Sequence, residues 1–339
     1  MLVRQWSSGT APAFIQLLRG FLQSGRRAFE SCLAYVESSS LCLLTSPARR
    51  TFKDMAGQVN HFLITILVGL SAVEERTAEL PPGMRTSWAP HDRARSAARS
   101  RQFAIKAALA WLIDALDTYV RMVQRPPRIA NMTVVNGIAD ANDEGLAGKV
   151  RFVARAVGIG GSEEAILTEV AIIWRNRLVH SYAANRIGKG LASAALGHAP
   201  EYVESYQGLI VEDLISHVEH TTPTSPTLKE VTALVRAVHK LVERVDENLL
   251  GSLDLELYLR EILGVYLTEN RDTDARSVMV KASNVWGKSP DRCRSTIKQI
   301  ALNNGFAPYR GGALNELTMA AVENLINLSP SEAVKMLVI

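Results

Sequence analysis

One stretch of the sequence, residues 174–182, brings an arginine, an amide, a histidine and a phenol into an otherwise apolar pattern. An imidazole exchanges protons near neutral pH and a guanidinium stays charged, so these residue types suit proton transfer and the stabilisation of negative charge. We therefore interpret this stretch as the candidate functional site. Its polar members are Arg175, Asn176, Arg177, His180 and Tyr182.

A helix is expected to position these side chains, because apolar residues recur at steps of three and four from residue 166 to residue 178. The helix is predicted to start after Gly160, Gly161 and Ser162. At about 100° per residue, Asn176 and His180 lie within about 40° of each other, but Arg175 and His180 are about 140° apart. Either the arginine side chain curls round the helix, or a second copy of the helix completes the site.

The order of these residues resembles the signature of the HEPN superfamily, which comprises all-α domains associated with nucleic acids. Many members are ribonucleases of toxin–antitoxin, CRISPR and phage-defence systems. Their signature is an arginine and a histidine separated by four to six residues, with a polar residue, often Asn, after the arginine. Here it reads Arg175-Asn176-Arg177-Leu178-Val179-His180, and Tyr182 matches the extended form found in toxins of two-gene modules.

The resemblance implies metal-independent RNA cleavage, in which the ribose 2′-hydroxyl attacks the adjacent phosphate. His180 then acts as acid or base, and Arg175 stabilises the charge that builds on the phosphate oxygens. Asn176 orients the phosphate or the imidazole, and Arg177 contacts the RNA backbone. Tyr182 is the position that a partner nucleotidyltransferase modifies in the similar toxins. The implied partners are RNA, with tRNA among the candidates, a second copy of the chain, and a regulatory or antitoxin protein.

A second interpretation gives the chain no catalytic role. In this interpretation the protein is a helical adaptor or regulator, which uses a HEPN-like bundle to dimerise and to bind a partner or nucleic acid. Arg175 is then a surface ion-pair partner and His180 an ordinary helix residue. The intact set of Arg, Asn, His and Tyr favours the ribonuclease, because degenerate members of the family typically lose the Arg or the His.

Length and composition indicate a folded protein: 339 residues with 47% hydrophobic and 21% charged residues fit one large or two modest cores. Cys32, Cys42 and Cys293 are irregularly spaced, which matches neither a disulfide framework nor a metal cluster and suits a reducing compartment. We expect no metal and no cofactor. The longest apolar run, residues 62–73, is shorter than a bilayer span, so a cytoplasmic protein without a membrane segment is expected.

The positive charge is concentrated in the first third of the chain. Residues 1–101 contain 13 Lys and Arg against 7 Asp and Glu, an excess of 6 (13 − 7). An anionic partner is therefore expected to meet this part of the chain. The alternative is that dispersed arginines solubilise the surface or pair with acids elsewhere.

The helical periodicity and the lack of alternating strand patterns predict an all-α protein. We expect an N-terminal helical extension at residues 1–50, a HEPN-like helical bundle at 51–250 and a smaller C-terminal helical domain at 251–339. Two long bundle helices are predicted at 51–79 and 103–123, each ended by a pair of prolines.

Shorter segments are predicted with less regular patterns. On the second long helix, Asp114 and Asp117 are expected to form a solvated face rather than a catalytic or metal pair. Residues 131–148 are predicted to be an irregular connection. Ser289 and Pro290 predict the start of a helix that ends at residues 303–305. The helices around it form a cap or dimerisation unit, with a helix-turn-helix as the alternative.

Overall fold

Helices make up most of the chain in the computed structural model, which describes residues 40–80, 83–84, 88–180, 185–220, 224–268, 274–309 and 315–338. Within these ranges the strands are β1 (Leu41–Leu43) and β2 (Phe306–Pro308), which pair antiparallel. The predicted all-α class is confirmed. Of the extension predicted at residues 1–50, residues 1–39 lie outside the described part of the chain.

The chain forms two compact units. The larger comprises residues 44–265, and the described part of the smaller comprises residues 40–43 and 266–338. The helices of the larger unit are α1 (Pro47–Ala56), α2 (Val59–Glu74), α3 (Arg93–Met122), α4 (Met132–Asp140), α5 (Gly145–Ala156), α6 (Glu163–Val179), α7 (Lys189–Gly197), α8 (Ala199–Ser205), α9 (Val211–Glu219), α10 (Leu228–Gly251) and most of α11 (Leu255–Thr268). Those of the smaller unit are α12 (Ala275–Trp286), α13 (Pro290–Asn303), α14 (Met319–Ile326) and α15 (Pro330–Leu337).

The division between the units falls near the end of α11, between Val265 and Tyr266. The preceding part of α11 is tied to the larger unit, where the carboxylate of Glu261 accepts hydrogen bonds from the backbone N–H of Arg128 at 2.7 Å and from its Nε at 3.0 Å. The sequence predicts the C-terminal domain from residue 251, whereas the structure groups residues 251–265 with the bundle.

The helix that positions the candidate site, α6, lies at the centre of the larger unit. Every residue from 164 to 174 is buried, and the helix packs against α3, α5 and α10. The sequence predicts one buried face, but α6 is covered all round because helices lie on several sides of it. This burial includes Glu164, whose carboxylate is paired with the guanidinium of Arg244 and, at 3.5 Å, with the ammonium of Lys240. A helix enclosed in this way is held rigidly over most of its length.

The first long helix predicted by the sequence is two helices in the structure. The chain breaks after α1 at Gly57, where a Cβ would lie 2.5 Å from the carbonyl oxygen of Lys53. The second long helix that the sequence predicts, at residues 103–123, corresponds to α3. It starts at Arg93, because the side chain of Asp92 accepts a hydrogen bond from the backbone N–H of Arg95 at 3.0 Å and caps the helix there. The arginine-rich residues 93–101 are therefore helical.

Helix α2 is apolar but largely exposed. Val59 and Leu63 are its buried residues. Its exposed apolar side chains include Phe62 and Ile66, which are four residues apart and share one side of the helix, here called the α2 face; Ile64 and Val68 are exposed on the opposite side. Residues 47–74 are the one stretch of the described chain that is long and apolar enough to span a membrane by length and composition, and 17% of its most apolar window is buried.

The smaller unit packs around the indole of Trp286, whose Nε1 donates to the carbonyl of Leu325 at 2.8 Å. The helix predicted from Ser289 and Pro290 is confirmed as α13, which ends at Asn303. Its Arg294 pairs with Glu323 of α14 at 2.8 Å. This pairing neutralises one of the cations that a helix-turn-helix would present to DNA.

Candidate functional site

The candidate site lies where α6 leaves the core. The helix ends at Val179, and His180 is its C-terminal cap, with φ −109° and ψ 102°. The backbone N–H of His180 still donates to the carbonyl of Asn176 at 2.9 Å, so it follows Asn176 by one turn. The side chain of His180 is exposed, and those of Arg175 and Asn176 are half-buried. The sequence predicts His180 within the helix, whereas the structure places it just after the last helical residue.

The guanidinium of Arg175 reaches a carboxylate on a neighbouring helix. Its Nη2 lies 2.5 Å from Oδ1 of Asp114 on α3, and its Nη1 donates to Oδ1 of Asn176 at 3.2 Å. The side chain of Arg175 is 20% exposed, and that of Asp114 is 56% exposed. The buried Nε of Arg175 has no acceptor among the described residues. This arginine therefore binds one oxyanion and retains a free donor at its inner edge.

Asp114 is not simply part of a solvated face, as the sequence predicts, because its carboxylate faces Arg175. Asp117 behaves differently: its Oδ2 accepts from Nη2 of Arg121 on the same helix at 2.5 Å. The two acids thus have separate partners, and sequence spacing alone gives no signal for the contact between α3 and α6.

Arg177 has a structural position. It is 9% exposed, and its guanidinium donates to the carbonyl of Val218 and, at 3.0 Å, to the carbonyl of His220. These carbonyls lie at the C-terminal end of α9, where the backbone lacks helical donors. The contact to RNA predicted for Arg177 would require these hydrogen bonds to break, and it remains a prediction.

Trp174 anchors the same end of α6 from another side. Its ring is fully buried, and its Nε1 donates to the carbonyl of Thr224 at 3.2 Å. With Arg177 it fixes the last turn of the helix. The side chains of Arg175 and Asn176 are therefore presented from a rigid support, as an active site requires.

The structure brings together some of the predicted residues and separates others. Arg175 and Asn176 are in contact, and His180 lies one turn beyond Asn176. Among the hydrogen bonds of the described residues none joins Arg175 to His180. Tyr182 lies outside the described residues, so its predicted modification stays a prediction.

Two other histidines of the larger unit, His217 and His239, make structural contacts. His217 Nδ1 lies 2.7 Å from Oε1 of Glu230, the residue that completes the capping box of α10 with Thr227. The ring of His239 packs edge-on against Phe52 with centroids 4.9 Å apart, and burial lowers the pKa of His239. Across the described ranges no group of three or more His, Cys, Asp or Glu is placed to hold a metal ion.

Comparison with known proteins yields no relative: no protein-family model matches the chain, and neither a curated protein nor a solved structure is significantly similar to it. The resemblance to the HEPN superfamily therefore rests on the residues at the end of α6.

Proposed function

We propose that the chain is a metal-independent endoribonuclease of the HEPN type, acting in a toxin–antitoxin or phage-defence system. The observation that carries this proposal is the emergence of α6 from the core, where Arg175, Asn176 and His180 follow a run of buried residues. Arg175 already binds an oxyanion, the carboxylate of Asp114. A phosphate of RNA is a chemically matched replacement, because guanidinium binds both groups through the same planar donors.

In the proposed reaction the 2′-oxygen of a ribose attacks the adjacent phosphorus. The 2′-O–P bond forms while the P–O5′ bond breaks, one proton leaves the 2′-hydroxyl, and another is delivered to the 5′-oxygen. The exposed imidazole of His180 is the group proposed to make these proton transfers. Arg175 stabilises the charge on the non-bridging oxygens, and Asn176 orients the phosphate or the imidazole. The products end in 2′,3′-cyclic phosphate and 5′-hydroxyl.

A second copy of the chain is part of this proposal. Arg175 is held against α3 by Asp114, whereas His180 follows the end of α6. Two copies related by a twofold axis can supply the arginine of one chain and the histidine of the other to one cleft. The α2 face offers an apolar surface for that pairing, since large exposed apolar patches mark interaction sites.

The proposal is tested by incubating purified protein with mixed cellular RNA and tRNA, with and without EDTA. We expect cleavage in both conditions and fragments that carry 2′,3′-cyclic phosphate. A 2′,3′-cyclic phosphate blocks the 3′ end of a fragment. Such fragments can be ligated at that end only after the cyclic phosphate has been opened and removed. Cleavage that disappears with EDTA, or that leaves 5′-phosphate ends, contradicts the proposal.

A second candidate function is that of a non-catalytic adaptor, and the exposed α2 face favours it. An adaptor uses such a face for a partner without any need for His180. Unchanged RNA under every condition, together with a stable complex formed through the α2 face, supports the adaptor over the ribonuclease.

A further inference from the structure

A cavity of about 630 Å³ opens beside α6, between α5 and α7. Its apolar lining includes Ile166 and Ile173 of α6 and Leu191 of α7. Its charged lining includes Arg151 and Arg155 of α5, Glu169 of α6, and Arg186. The volume lies within the range of about 300–1,000 Å³ that is typical of small-molecule sites, and the lining combines apolar side chains with several charged ones.

The cavity lies on the side of α6 that leads to the candidate site. Its lining residues Ile166, Glu169 and Ile173 are spaced by three and four residues, so they share one face of the helix. Asn176 is the next residue on that face, and the backbone of His180 follows it by one turn. The rise from Ile173 to His180 is roughly 10 Å on an ideal helix. A chain bound at His180 can therefore extend into this cavity.

The arginines that line the cavity differ in how closely they are paired with acids. Arg151 is bound by two acids: its Nε donates to Glu169 at 3.0 Å, and its Nη1 donates to Glu144 at 2.8 Å. The hydrogen bond with Glu169 raises the pKa of Arg151, so this cation stays charged and engaged. Arg155, by contrast, forms no ion pair with the described acids. Arg186 is 63% exposed and lies 3.5 Å from Glu219, a loose pair.

We propose that this cavity binds one nucleotide of the RNA next to the scissile bond and so determines the cleavage-site preference. The inference rests on the proposed function. Ile166, Ile173 and Leu191 provide apolar contact for a base. Arg155 and Arg186 provide cations for its phosphate, because neither is saturated by an acid. The oxygens of Glu169 that face Arg151 keep lone pairs that accept N–H groups of a base or a ribose hydroxyl.

Mononucleotides test this site without depending on cleavage. The full chain is titrated by calorimetry with AMP, GMP, CMP and UMP in turn, and with inorganic phosphate. We expect at least one mononucleotide to bind at least about tenfold more tightly than phosphate, because the base adds apolar contact worth more than 1.4 kcal/mol. Arg155→Ala and Leu191→Trp, which remove a cation and fill the cavity, are each expected to weaken that binding about tenfold.

Lys189→Ala is the matched control, since Lys189 is an exposed cation beside the cavity that is not part of its lining. It is expected to change mononucleotide affinity less than about twofold. Phosphate that binds as tightly as every mononucleotide, no mononucleotide binding at all, or equal binding by the wild type and both cavity variants overturns the proposal.

Different results contradict the nucleotide-site proposal and the ribonuclease proposal. If RNA is cleaved but the fragment ends are the same in Arg155→Ala, Leu191→Trp and the wild type, the cavity is not the specificity site and the ribonuclease stands. If mononucleotides bind with the expected losses but RNA stays intact, the nucleotide site stands and the ribonuclease is wrong.

Discussion

The guanidinium of Arg175 on α6 and the carboxylate of Asp114 on α3 form an ion pair with Nη2 and Oδ1 at 2.5 Å. The pair is partly exposed, and exposed pairs typically stabilise a protein by less than about 1 kcal/mol. A phosphate can therefore replace Asp114 at low energetic cost. In the absence of RNA, the carboxylate keeps the arginine extended towards α3.

Replacing Asp114 with Asn is expected to strengthen RNA binding by about twofold to fivefold, the factor that corresponds to roughly 0.5–1 kcal/mol. The physical reason is that the neutral amide competes less well with phosphate for Arg175. Fluorescence anisotropy with a non-cleavable 2′-deoxy-substituted oligonucleotide measures the affinity. Asp117→Asn is the matched control, because Asp117 pairs with Arg121 on its own helix. Weaker binding by Asp114→Asn would show that the carboxylate positions Arg175 for RNA instead of competing with it.

Arg177→Ala is expected to destabilise the fold by about 2–4 kcal/mol, since it removes the buried guanidinium that donates to two carbonyls at the end of α9. Arg186→Ala, at an exposed position, is expected to change stability by less than about 0.5 kcal/mol. Urea denaturation followed by circular dichroism measures both. An Arg177→Ala protein as stable as the wild type, with weakened RNA binding, would assign Arg177 to the RNA backbone.

Ile66→Asp on the α2 face is expected to convert a dimer into a monomer, because a buried unpaired carboxylate at an apolar interface costs several kcal/mol. Leu257→Asp is the control: Leu257 is 57% exposed and Ile66 is 47% exposed. Light scattering at micromolar concentration measures the mass of each protein. A wild type that is already a monomer and still cleaves RNA contradicts the composite site.

Stability is expected to fall as the pH rises above about 10, because burial raises the pKa of Tyr202 and of Tyr206. A phenol with a raised pKa keeps its proton in the folded state, while the unfolded chain loses it near its ordinary pKa of about 10. The unfolded state then binds fewer protons, so the free energy of unfolding decreases with pH, by up to about 1.4 kcal/mol per pH unit and tyrosine.

Denaturation between about pH 9 and 11 measures this slope. Replacing Tyr202 and Tyr206 with Phe removes the contribution of these two phenols, so the free energy of unfolding depends less steeply on pH. If ultraviolet absorbance shows that Tyr202 and Tyr206 of the folded protein ionise near pH 10, burial does not raise their pKa and the prediction is wrong.

The sequence predicts the helices whose signals are local. The start of α6 after Ser162 and the start of α13 at Pro290 follow from turn and capping residues adjacent in the chain. Local signals fail where tertiary contacts decide. Residues 131–148, predicted as irregular, contain α4 and the start of α5. Asn131, which caps α4, was a local signal for this helix, whereas the room that Gly137 leaves for the ring of Phe152 is a contact that only the packing reveals.

Long-range contacts of the candidate site could not be predicted from one sequence. Asp114 and Arg175 are 61 residues apart, and Arg177 reaches carbonyls 41 and 43 residues away. Residue type and helical period identify which side chains are chemically suited to a site. They do not say which partner each will meet, since that depends on how the helices pack.

Cleavage of RNA by His180→Ala, measured beside the wild type in EDTA under single-turnover conditions, tests the central claim most directly. We predict a rate lower by about 10²–10⁴-fold, the usual contribution of proton transfer. The fold should keep its stability within about 1 kcal/mol, because His180 is exposed. His91→Ala, at another exposed histidine, should leave the rate unchanged. A His180→Ala protein that cleaves RNA as fast as the wild type would contradict the account.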